Sequence, residues 1–182
     1  MGIKVTVGAL LLAFGLASGT APASAVPAGP LDDLVEVGSG ELSWFGLEVY
    51  EARLLTGGGR YDGMAASGPQ ALEITYRRNI SREQLVRTTE KEWGRLEREL
   101  GLDNQIPVRG WLTELGAIWP DVAPGDRIIA FVEPAGPTRF YGNDGLLGTV
   151  EDPRFGPAFL GIWLHPETRA ADLRAQLIGE RP

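Results

Sequence analysis

Residues 70–101, QALEITYRRNISREQLVRTTEKEWGRLERELG, change their hydrophobic period part-way along, and that change decides the fold class. Leu72, Ile74 and Tyr76 alternate with Glu73, Thr75 and Arg77, the period of two that a half-buried strand requires. Ser81 then opens a helix with Gln84 three residues on, a capping-box pair in which each side chain satisfies an orphan backbone donor. Leu85, Thr89, Trp93, Leu96 and Leu100 follow at spacings of four, four, three and four, which places them on one helical face. Glu83, Arg87, Glu90, Lys91, Arg95 and Glu97 line the other side, and Gly101 stands at the stop position. A strand with one wet face, followed at once by an amphipathic helix, belongs to a layered fold in which helices cover a sheet.

Outward from this unit the same signals recur. Upstream, residues 35–55 are rich in strand formers. Phe45, Leu47 and Val49 occupy odd positions, after which Tyr50, Ala52 and Leu54 take the even ones. That phase slip predicts a β-bulge near Tyr50 or a strand buried on both faces. Gly57-Gly58-Gly59 and Asp62-Gly63 mark the next loop. Downstream, Leu112, Leu115 and Trp119 predict a shorter helix that Pro120 ends. Residues 128–132 form a continuous apolar run of the inner-strand kind, and residues 138–141 and 146–150 flank Gly142-Asn143-Asp144-Gly145, a hairpin signal. Asp152 and Pro153 read as N-cap and first helical residue of a helix over 153–164 with Phe155, Phe159 and Ile162 on one side. Thr168 is expected to cap a last helix that buries Leu173 and Leu177 and closes at Gly179. Strands, an interposed helix, a hairpin and two final helices predict an α+β fold: an antiparallel sheet covered on one face by helices.

The chain has 182 residues, with 17 Lys+Arg against 24 Asp+Glu, one His and no Cys, which fits one domain. Without Cys there is no disulfide, thiolate nucleophile or thiolate metal site. A net charge of −7 lacks the basic face a nucleic-acid partner needs and disfavours anionic lipid. Lys4, the apolar run over residues 5–17 and Ala23-Ser24-Ala25 make up a secretory signal peptide cut after Ala25, with a loose leader over residues 26–34 and the domain over 35–182. The run is too short to span a bilayer, so the mature protein is expected in the periplasm with no stable membrane insertion.

The catalytic inventory is thin. His165 is the single histidine, next to Pro166 between two helices, and reads as a cap or turn residue. No G-x-S-x-G frames a serine, no glycine-rich phosphate fingerprint exists, and no metal or cofactor is expected. What stands out is aromatic residues beside arginines: Arg77 follows Tyr76, and Arg139 precedes Phe140 and Tyr141. An apolar pocket closed by an Arg and a Tyr would hold a carboxylate on a lipophilic body, the guanidinium pairing the anion while aromatics cover the tail. Tyr50, Tyr76, Arg77, Trp93, Arg139 and Tyr141 are therefore the candidate ligand-binding residues, and no catalytic residue is assigned.

Several motifs, in order, resemble bacterial exported chalcone isomerase-like proteins. They are Gly46-Leu47-Glu48-Val49-Tyr50-Glu51-Ala52-Arg53-Leu54; Ile80-Ser81 and Leu85 with Glu92-Trp93; Trp119-Pro120-Asp121-Val122 and Pro124-Gly125-Asp126; Arg139-Phe140-Tyr141; and Asp152-Pro153 with Phe155, Phe159 and Ile162-Trp163-Leu164. The resemblance spans roughly residues 35–179 and implies an open-faced sandwich, a large antiparallel sheet covered by helices. It also implies two activities found on that fold. The plant enzymes cyclise chalcones with an Arg, a Thr, a helix Tyr with an Asn seven residues on, and a late Ser or Thr, whereas other plant relatives bind fatty acids. By the resemblance, Phe45, Leu85, Glu92 and Gly156 occupy four of the enzyme positions here, and no Arg lies between Asp32 and Trp44. An apolar pocket without those donors would not orient an oxyanion. The expectation is a non-catalytic exported protein that binds a small lipophilic ligand, such as a fatty acid, between sheet and helices. Two alternatives compete with it: an intramolecular lyase with Tyr50, Tyr76 or Tyr141 as acid and Glu92 as base, and an envelope protein-interaction module with no small ligand.

Overall fold

A computed structural model describes residues 29–44, 46–102 and 107–180. The signal segment expected up to Ala25, and Phe45, lie outside the described residues. The chain runs β1 (Val35–Trp44), β2 (Leu47–Thr56), β3 (Gln70–Tyr76), α1 (Arg82–Arg95), α2 (Val108–Ile118), β4 (Arg127–Val132), β5 (Thr138–Gly142), β6 (Gly145–Val150), α3 (Phe155–Leu164) and α4 (Ala171–Leu177). Among the described residues the strands form one six-stranded sheet in the order β1-β2-β3-β4-β5-β6, each pair antiparallel. No described helix is long and apolar enough to cross a membrane.

Local chemistry accounts for the element ends. Ser81 and Gln84 form the capping box: Ser81 Oγ accepts from the Gln84 backbone N–H at 3.3 Å, and Gln84 Oε1 accepts from the Ser81 N–H at 3.0 Å. The α-helical part of α1 stops at Arg95, earlier than the apolar row, and the row continues through a turn in which Leu100 N–H still reaches the Leu96 carbonyl. Strand residues 35–56 divide into two strands, and the expected phase slip is present: Leu42 faces Tyr50 but Ser43 faces Glu48, so Val49 is the extra residue of a bulge. Asp152 caps a turn rather than the helix proper. Its Oδ1 accepts from Arg154 N–H at 3.0 Å and α3 begins at Phe155. Thr168 does not cap α4, whose N-cap is Ala170; its hydroxyl donates to the Ile162 carbonyl at 2.7 Å and accepts from Ala170 N–H, joining the two last helices.

Alternation sorts the strand residues onto two faces. Tyr50, Ala52, Leu54, Leu72, Ile74, Tyr76, Ile128, Ala130, Val132, Phe140 and Val150 join the helices in the main core. There Trp93, Trp111, Phe140, Phe155 and Phe159 interlock, with ring centroids 5.6 Å apart for Trp93–Trp111, 5.8 Å for Trp93–Phe155 and 5.4 Å for Phe140–Phe159. The other face is open. It carries a small cluster of Leu55, Ala71 and Ile129 under Leu31, Leu34, Phe131 and Tyr141. Beside that cluster runs an ionic row in which Arg53 bridges Glu36 and Glu73, and Arg127 reaches the far oxygen of Glu73. The last helix closes on the first strand: a Cβ on Gly38 would lie inside van der Waals contact of the Gln176 carbonyl, so only glycine lets α4 approach β1 this closely.

Candidate functional site

The six candidate residues divide between the faces, because neighbours in a strand point to opposite sides. Tyr50, Tyr76 and Trp93 lie on the helix-covered face. Tyr50 and Tyr76 are register partners with rings 6.3 Å apart, and Trp163 Nε1 donates to the Tyr50 hydroxyl at 2.8 Å. Burial pushes the Tyr50 phenol up to about 12, with nearby Glu92 adding to the effect and the Trp163 bond opposing it. Tyr76 is raised too, first by burial and then by Tyr50. Glu92 is held by Arg95 at 3.0 Å and Arg169 at 3.7 Å. Arg77 lies on the open face in an ion pair with Glu51 at 2.7 Å. Tyr141 packs with the open-face cluster, and Arg139 pairs with Glu133. His165 ends α3, and its Nδ1 accepts from the Glu167 N–H at 3.1 Å, a turn role.

A cleft of about 690 Å³ opens at the other end of the sheet, in the size range of small-molecule sites. Four segments and Trp111 build it. The β2–β3 loop supplies Met64 to Gly68, the turn after α1 supplies Leu100 and Leu102, the β4–β5 turn supplies Pro134 and Ala135, and the start of α3 supplies Pro153, Pro157 and Ala158. Gln70 and Val132, register partners at the ends of β3 and β4, belong to its wall. From Gln70 to Tyr76 is the length of β3, about 20 Å at 3.3 Å per residue, so the tyrosine pair sits at the opposite end. Trp93 supports the cleft from behind: it packs on Trp111, and its Nε1 donates to the carbonyl of Ala158 at 2.9 Å. Arg139 touches the rim through Glu133, which is in the lining.

Two of the charged residues at the mouth, Glu133 and Arg154, are held in ion pairs. Arg154 forks onto Asp152 at 2.7 and 2.9 Å, and this pairing, ahead of its backbone and Trp111 hydrogen bonds, holds the Asp152 carboxyl below the usual carboxylate range. Trp111 Nε1 donates to the same carboxylate at 3.3 Å. Ala135 holds a positive φ of 48° in the Glu133–Gly136 turn, a conformation a residue with a Cβ seldom adopts. Among the described residues no group of three or more His, Cys, Asp or Glu is arranged to hold a metal ion.

A family profile described as chalcone isomerase-like matches residues 32–179. The chain belongs to the chalcone isomerase-like family. A protein of uncharacterised function from Haemophilus influenzae is 31% identical over 153 residues, covering 84% of this chain and 72% of that protein. The crystal structure of an Arabidopsis thaliana fatty-acid binding protein superposes with a TM-score of 0.63 at 13% identity, covering 81% of this chain and 88% of that one, which shows the shared fold.

Three of the residues that the resemblance set against plant enzyme groups are described by the structure. Leu85 packs against the core, and Glu92 is an ion-pair residue. Gly156 is buried where α3 crosses the sheet; a Cβ there would overlap Val132 and stand 2.9 Å from Thr138 Oγ1, so the backbone leaves no room for a Ser or Thr side chain. The cleft itself is not periodic in sequence and was not among the candidates. Its readable sign is the run Ala65-Ala66-Ser67-Gly68, small residues between two strands that leave a loop with little bulk.

Proposed function

We propose that this chalcone isomerase-like protein is a non-catalytic binder of a small lipophilic molecule, held in the cleft where the β2–β3 loop and the β4–β5 turn meet the start of α3. The observation that carries it is the cleft: about 690 Å³, walled by Met64, Leu100, Leu102, Trp111, Val132 and Pro157. That is the ratio of apolar wall to few polar groups typical of a small-ligand site. The structural likeness to a protein whose name is fatty-acid binding protein supports the same class. The apolar run and Ala23-Ser24-Ala25 support an exported protein acting in the periplasm after cleavage at Ala25.

Native mass spectrometry on protein purified gently from its own host, then extracted with solvent, tests this. The expected result is a stoichiometric lipophilic adduct. Gly68→Trp should weaken or remove it, because Gly68 is part of the cleft lining and a Cβ there meets nothing within 4 Å, so the protein can accept the added bulk. Tyr141→Ala on the open face should leave it. The reverse pattern moves the ligand to the open face, and an adduct-free protein that also fails to bind dodecanol or dodecanoate refutes the reading.

A further inference from the structure

One charge at the cleft stands without a counter-charge. The charged residues in the lining are Glu99, Glu133 and Arg154. Glu133 is paired with Arg139 and Arg154 with Asp152, so each of those two brings its own opposite charge and each pair is neutral. Among the described residues nothing pairs with Glu99. Gln70 offers a ligand nothing, because its Oε1 is closed off from the cleft and its Nε2 is engaged by the carbonyls of Gly63 and Met64. The charge that the cleft presents to an entering molecule is therefore one carboxylate.

Its place on the turn after α1 is fixed by the backbone. Gly101 N–H donates to the Arg98 carbonyl at 3.2 Å and Leu102 N–H to the Glu97 carbonyl at 2.8 Å, with Gly101 at a φ of 64°. Exposure falls along this turn from the outside in: Glu99 is exposed, Leu100 half-buried and Leu102 buried, and all three belong to the lining. The carboxylate thus stands at the mouth, with apolar wall continuing inward through Leu102, Trp111 and Val132. Arg98, one residue back, is exposed and outside the lining. An amphiphile that enters tail first keeps its polar head at the level of Glu99, in water, so neither charge has to be desolvated. There a carboxylate attracts a cation and repels an anion. The net charge of −7 on the whole chain favours the same sign of ligand during approach.

We infer that the ligand is a cationic amphiphile: an apolar body in the cleft and a protonated amine at its mouth, paired with the Glu99 carboxylate. This rests on the cleft being the ligand site. Calorimetric titration at neutral pH with dodecylammonium, dodecanol and dodecanoate, on the parent protein and on Glu99→Gln, separates the two claims. The substitution keeps the size of an exposed side chain and removes its charge. It should weaken dodecylammonium about threefold to fivefold, the size of an exposed ion pair. It should leave dodecanol unchanged and strengthen dodecanoate. Added salt should reproduce the dodecylammonium loss in the parent protein and have little effect on that ligand in Glu99→Gln. Dodecylammonium binding that ignores the substitution, or dodecanoate as the tightest ligand of the parent protein, overturns the cationic inference and leaves lipophilic binding standing. An equal loss for all three ligands overturns it too, because Glu99 would then act on the shape of the cleft and not through its charge. Binding of none overturns both.

Discussion

The two faces of the sheet are made from alternate residues of the same strands, yet they are held by different physics. On the covered face Phe140 and Val150 meet Trp93, Trp111, Phe155 and Phe159, and the layer is stabilised by burial and ring geometry. On the open face Glu36, Arg53, Glu73 and Arg127 form a row of ion pairs in which only Glu73 is buried, at 6% side-chain exposure. The difference teaches that charge on this face keeps a solvent-facing sheet paired and soluble, while stability resides under the helices.

The comparison breaks hardest at Trp93. Trp93→Ala should cost about 3–5 kcal/mol in chemical denaturation, the range for emptying a large buried aromatic site, because the ring is 1% exposed and its N–H holds Ala158. A loss no larger than that of an open-face mutant would show that the covered face is not the stabilising one. Gly156→Ser comes next, at about 1–3 kcal/mol from overpacking against Val132 and Thr138; a stability equal to the parent would show that α3 can retreat.

The tyrosine pair sharpens the same contrast through pH. Tyr50 is lifted from 10.0 to about 12 in the folded protein, so the native state keeps a proton that the unfolded chain releases. Its contribution is whole below pH 10 and is lost as pH rises from there through the folded value. Unfolding free energy followed against alkaline pH should fall in that window, and less steeply in Tyr50→Phe, with a residual slope from Tyr76, which is raised in the same direction. Identical slopes would mean that Tyr50 titrates as if in water. The smallest effect belongs to the open face. A double-mutant cycle on Arg77 and Glu51, both more than a third exposed, should return a coupling of about 0.2–1 kcal/mol that fades with added salt. A coupling several times larger would erase the distinction between the faces.

The fold was legible because its signals are local and periodic. The Ser81–Gln84 box and the inward row Leu72, Ile74 and Tyr76 lie within a few turns or rungs and appear where the spacing puts them, whereas α1 ends at Arg95 before the apolar row does, and β3 is buried on both faces, Glu73 included, instead of having one wet face. Even the bulge beside Tyr50 was announced by a change of phase. The site was less legible, and the reason is the same period of two. Arg77 beside Tyr76, and Arg139 beside Phe140, are neighbours in a strand, so each pair straddles the sheet instead of facing one pocket. The cleft draws on the Met64–Gly68 loop, the Glu133–Ala135 turn and the first residues of α3, segments remote in sequence and without period. Nothing in the sequence singles out Gln70; the carbonyls of Gly63 and Met64, brought over by the loop, accept from its amide and make it a buried polar residue at the start of β3.

The packing of α4 on β1 has a consequence for the order in which the chain can be cut and joined. Gly179 lies so near β1 that a Cβ on it would stand 3.4 Å from the Val37 carbonyl oxygen, so the start and finish of the domain are side by side. All sheet neighbours are also consecutive in sequence. A circular permutant joining residue 180 to residue 35 through a short glycine-serine bridge, and opened within Gly57-Gly58-Gly59, should therefore keep every strand pair and fold to the same sheet.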